Sequence, residues 1–162
     1  MRRTLWLCVI GVSLWSAAAA AGQATGALPA TLRTRLQSAK FGVVTSVRGL
    51  PLTVREQLQA MWKSGSLDIA EPGAEFRKAG ASSNSQLPLR RMIAAGCTSD
   101  NYCLIYYERG GSAATWHVAL FHWTPDATRF EWGGTAPGSL KTIEDVRKAI
   151  LSGVITGQTG PW

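Results

Sequence analysis

Apolar residues along this chain recur first every three to four positions, then every two, then every three to four again. Leu28, Leu32 and Leu36, with Ala39 near the same face, predict a helix over about Pro29 to Ala39. Val43, Val44 and Val47 follow in a stretch, Phe41 to Val47, that suits a strand or an extended connector. Thr53 with Glu56 three residues later has the form of a capping box, and Val54, Leu58, Met61 and Trp62 make one apolar stripe behind it. Gly65 is the expected left-handed stop of that helix. Gly73 to Gln86 reads as a long loop, with its least apolar part at Gly80 to Ser85.

The period then shortens. Pro88 marks a strand entry, Leu89 to Ala95 runs as a strand up to Cys97, and Cys103 to Tyr107 is strongly strand-like. Gly110-Gly111 predicts a turn into a strand from Trp116 to Trp123, which Thr124-Pro125-Asp126 breaks. Thr128 to Trp132 gives a further strand, with Gly133-Gly134 expected to close it. Thr142 with Asp145 caps a last helix whose Ile143, Val146, Ala149 and Ile150 face the core, and Gly153 ends it. This order predicts an α+β fold, an antiparallel meander of about four strands with helices packed on one face.

The N-terminus alters how the rest is read. Arg2 and Arg3 precede an apolar run from Leu5 to Trp15 and then small residues from Ala17 to Gly22. Residues 1–21 are therefore expected to be a secretory signal peptide, 22–27 a disordered linker and 28–162 a single domain. The expected location is periplasmic or secreted, and the mature chain is expected to be soluble. The formal net charge is +7, falling to +5 without Arg2 and Arg3. The remaining basic residues are scattered, with no basic stripe interleaved with aromatics, so no nucleic-acid partner is expected.

Loss of the first 21 residues would remove Cys8 and leave Cys97 and Cys103, an even count that implies one disulfide in an exported chain. The ring would hold Thr98, Ser99, Asp100, Asn101 and Tyr102. So short a closure clamps a turn rather than a whole fold. Two roles stay open for it: pinning a strand connection, or pre-ordering Ser99, Asp100, Asn101 and Tyr102 as a binding surface. The two cysteines lack the close spacing of metal ligands, and no cofactor motif is present, so neither metal nor cofactor is expected.

Catalytic chemistry has few candidates. His117 and His122 are an odd number of residues apart in one strand, so they are expected on opposite faces, most simply as core residues. Glu108 and Glu131 are the best carboxylate pair on offer. His117-Val118-Ala119-Leu120-Phe121 is similar to the His-bearing strand of the NlpC/P60 and CHAP cell-wall peptidases. Those families place their cysteine at a helix start well upstream, whereas Cys103 is here in the preceding strand.

The layout from Met61-Trp62 to the last helix resembles the Ivy family of periplasmic inhibitors of chicken-type lysozyme. That family closes a short loop, Cys-Lys-Pro-His-Asp-Cys, whose His enters the lysozyme cleft. The matching stretch here, Cys97 to Cys103, is one residue longer and has no His. The resemblance implies that Asp100 or Tyr102 takes the blocking role. The expected function is a non-enzymatic periplasmic recognition module, a hydrolase inhibitor by this resemblance, with a cell-wall hydrolase or other envelope protein as partner. The alternatives are a peptidoglycan hydrolase using a strand histidine and an envelope structural or stress protein.

Overall fold

The computed structural model describes residues 26–78 and 85–158. The signal peptide expected at 1–21, most of the linker, most of the Gly80 to Ser85 stretch and the terminal Trp162 lie outside the described residues. Three α-helices, α1 (Ala30–Ser38), α2 (Leu52–Trp62) and α3 (Ile143–Leu151), surround one sheet. Its strands are β1 (Gly42–Val44), β2 (Ile69–Ala70), β3 (Arg90–Cys97), β4 (Tyr102–Arg109), β5 (Thr115–Trp123), β6 (Thr128–Ala136) and β7 (Thr156–Gly157).

The order across the sheet is β1-β3-β4-β5-β6-β7, all antiparallel, with β2 pairing parallel to the start of β3. The α+β class and the meander β3 to β6 agree with the sequence pattern. The strand count of about four is too low, because β1, β2 and β7 are two or three residues long and have no measurable period.

The helices do not share one face, and this corrects the expected layering. α1 and α3 cover Leu104, Tyr106, Val118, Leu120 and Trp132, whereas α2 covers Met92, Ile105, Tyr107, Ala119 and Phe121. The reason is visible in β4 and β5, which are apolar on both faces over Cys103–Tyr107 and Val118–Phe121. Each face needs its own cover, since bare apolar area of that size would cost roughly 25 cal/mol per Å² left in water.

Three local expectations are also corrected. α2 starts at Leu52 behind Pro51, whose carbonyl accepts from the amides of Val54 and Arg55. Thr53 is therefore not the cap. It lies inside the first turn, where its hydroxyl donates to the Thr124 carbonyl at 3.1 Å and accepts from Thr128 Oγ1 at 2.8 Å. Lys63, at φ 52°, makes the left-handed stop before Gly65 is reached. Gly133-Gly134 does not turn the chain. It lies within β6 opposite Ala119 and Val118, and a Cβ at Gly134 would run into the carbonyl of Thr156 in β7. The Thr142–Asp145 capping box of α3 and the positive φ of Gly153, by contrast, are as the sequence predicts.

Candidate functional site

Cys97 and Cys103 face each other across β3 and β4 at the last paired position before the turn, and they form a disulfide with Cα atoms 4.1 Å apart. The turn inside it is held by hydrogen bonds from three of its five amides. The Thr98 amide donates to the Tyr102 carbonyl at 2.7 Å, the Asn101 amide to the Thr98 carbonyl at 3.2 Å, and the Tyr102 amide to Thr98 Oγ1 at 3.1 Å. Asn101 takes φ 67°, a left-handed conformation that its short polar side chain tolerates. Its carbonyl accepts from the Trp123 amide at 2.9 Å, which ties the turn to the end of β5.

A second clamp comes from α1. Asp100 accepts from Thr98 Oγ1 and from the guanidinium of Arg35. The Thr98 hydrogen bond, helped by Arg35, holds the Asp100 carboxyl below its ordinary range against the opposing desolvation. The Arg35 guanidinium also lies 4.3 Å over the Tyr102 ring, and Tyr102 meets the His122 ring at 4.7 Å. Ser99 and Asp100 are exposed, while Asn101 and Tyr102 are half-buried. The four residues singled out in the sequence thus differ in role: Ser99 is the open tip, Asp100 and Tyr102 are engaged by Arg35, and Asn101 works through its backbone. Arg35 was not legible as a member of this group, because 65 residues separate it from Asp100.

On the opposite face, beside the disulfide, lies an apolar groove of about 460 Å³. Pro51 and Leu52 at the start of α2, Cys97, Trp123 and Pro125 give it its character. Leu52 is 60% exposed, and Val43 of the adjacent edge strand is 73% exposed.

The two histidines do point to opposite faces. His122 joins Tyr102 on the α1 side, whereas His117 is 5% exposed on the α2 side and stacks on Tyr107 at 5.5 Å. His117 Nε2 shares a hydrogen bond with Thr115 Oγ1 at 2.8 Å. Burial, reinforced by the Arg109 and Arg90 charges, pushes its pKa down to about 4. Glu108 pairs with Arg91 at 2.9 Å and Glu131 with Arg129 at 2.6 Å. Glu108 is level with Trp116 and Glu131 with the Leu120–Phe121 bulge, two strands over. That places their backbone positions roughly 18 Å apart, beyond the reach of paired glycosidase chemistry. Among the described residues, no group of three or more His, Cys, Asp or Glu could hold a metal ion, and no helix is long and apolar enough to cross a membrane. No known protein family, curated protein or solved structure matches this chain.

Proposed function

We propose that this protein is a non-enzymatic recognition module working outside the cytoplasm, in the periplasm or secreted, and that it binds its partner with the end of the sheet that carries the disulfide-closed turn. The observation that carries the reading is the double clamp on residues 98–102, covalent on one side and held by Arg35 on the other. A surface ordered before contact loses little entropy on docking. The groove flanked by Leu52 and Trp123 adds exposed apolar area next to that turn, the usual make-up of a contact centre.

The disulfide also supports an oxidising compartment and removes the thiolate that a cysteine hydrolase would need. The partner class we infer is an envelope protein, with cell-wall hydrolases of the lysozyme type first among them. Asp100 is already committed to Arg35 and Thr98, so inhibition would rest on blocking a cleft by shape rather than on a free carboxylate reaching into it. The net charge of +5 that remains without Arg2 and Arg3 favours a partner whose contact surface is acidic.

The test is the rate at which a panel of purified cell-wall hydrolases clears peptidoglycan suspensions, with and without the protein. Slowed clearance by the wild type, lost in a folded Leu52→Asp variant, supports the reading. Unchanged rates across the panel, or equal inhibition by both proteins, would overturn it.

A further inference from the structure

The opposite end of the sheet carries a second polar group that the turn does not explain. On the α2 face, four neighbouring strands place polar side chains in two adjacent rows. Arg90, Arg109 and Thr115 are successive cross-strand partners in the first row. Tyr107, His117 and Thr135 are successive partners in the second. Cross-strand partners hold their Cβ atoms about 5 Å apart, so Arg109 adjoins both Arg90 and Thr115.

The charges in this group do not balance. Among the described residues the carboxylate paired with this group is Asp68, and its oxygens are both engaged, one by Arg90 at 2.8 Å and the other by the Leu89 amide at 2.7 Å. Arg90 also lies 4.3 Å over the Trp62 ring, so it is held on two sides. Arg109 makes no ion pair among the described residues, and its Nε is buried without a hydrogen-bond partner. A half-buried guanidinium left in that state is costly, and an anion that accepts from it would relieve the cost. The Thr115 hydroxyl and the His117 ring, already joined at 2.8 Å, stand beside it as further hydrogen-bonding groups.

We propose that Arg109, with Thr115 and His117, forms a binding site for the oxyanion of a small ligand, a carboxylate or a phosphate group. The planar fork of Arg109 takes two oxygens, the Thr115 hydroxyl donates to one of them, and His117 fixes the direction of that hydroxyl. Arg90 and Asp68 position the site without contributing a free charge. The site is about 23 Å along β4 from the disulfide turn, so it stands or falls separately from the recognition surface.

The experiment is a titration of the isotope-labelled protein with sodium phosphate and, in a second arm, with sodium acetate, at constant ionic strength held by sodium chloride. The Arg109 Nε–H and the His117 ring resonances are followed. Saturable movement of both in either arm is expected, and the arm that saturates at lower concentration identifies the oxyanion class. Arg109→Gln should weaken binding by about tenfold or more, whereas Arg129→Gln, at a distant exposed ion pair, should not change it. If Arg109→Gln does not fold, Thr115→Val replaces it, with weaker binding again expected. Resonances that do not move, or that move without saturation and equally in the variant and the wild type, would overturn the proposal.

Discussion

The two ends of the sheet are built on different electrostatic terms. At the turn end the charges beside the disulfide are paired: Asp100 has Arg35 and Thr98, and Glu131 has Arg129. The Arg35–Asp100 pair is exposed, and the turn owes its order to a covalent bond and to hydrogen bonds from the Thr98, Asn101 and Tyr102 amides. At the other end, Asp68 pairs with Arg90, whereas the adjoining Arg109 makes no ion pair among the described residues. The first arrangement gives a rigid surface that gains nothing from small ions. The second leaves Arg109 as the group that the proposed anion would pair. One sheet can therefore carry a macromolecular contact at one end and small-ligand chemistry at the other without either disturbing the other.

The sharpest way to break this comparison is to remove the carboxylate that pairs with Arg90 at the cationic end. Arg90 is 4% exposed and depends on Asp68. Asp68→Ala should cost about 3 kcal/mol of unfolding free energy in urea denaturation, because it takes the Asp68 carboxylate away from a buried guanidinium. A loss within the range of ordinary surface pairs would mean that the cationic end is well solvated, and the contrast would fail.

A smaller effect comes from pH. His117 takes up its proton at about 4 in the folded chain and near 6.5 when unfolded. Between those values the unfolded chain binds more protons, so the stability gained by keeping the ring neutral is complete above about pH 6.5 and declines as pH falls toward 4. Asp100, Glu144 and Asp145 have carboxyls held low by hydrogen bonds from Thr98, Arg147 and Thr142 respectively, and they add losses at more acid pH still. Thermal melts of wild type and His117→Gln separate the two ranges. The variant should show a flatter profile from pH 6.5 to 4 and the same fall below it. An unchanged slope between 6.5 and 4 would place the His117 ring in contact with water.

Much of the fold was legible because its long elements bury a regular stripe. β4 and β5 are apolar at nearly every position, and α3 announces its start through Thr142 and Asp145. The short strands were not legible, since Gly42–Val44 and Thr156–Gly157 are strands only because a neighbouring backbone pairs with them. Thr53 misled for a related reason: a hydroxyl that can cap a helix can also serve a carbonyl 71 residues away, and only the packing of α2 on the β5–β6 turn decides between them. The disulfide and the faces of the two histidines followed from parity and count. The Arg35 clamp and the Arg90–Arg109–Thr115 row did not, because each is assembled from segments whose spacing in the chain carries no period.

The smallest structural change bears most directly on the central claim, that the turn is ordered before any partner arrives. Amide hydrogen exchange at residues 98–102 should be measured in the oxidised wild type, in Arg35→Ala and in Cys97→Ser/Cys103→Ser. The exposed Arg35 pair contributes under about 1 kcal/mol to global stability, so Arg35→Ala should leave the unfolding midpoint nearly unchanged. Loss of the disulfide should cost about 2 kcal/mol. Slow exchange of the Thr98, Asn101 and Tyr102 amides in the wild type, faster in Arg35→Ala and fastest in the cysteine variant, is the predicted result. Fast exchange of these amides in the oxidised wild type would contradict the account, because a turn that opens freely on its own cannot serve as a pre-ordered contact.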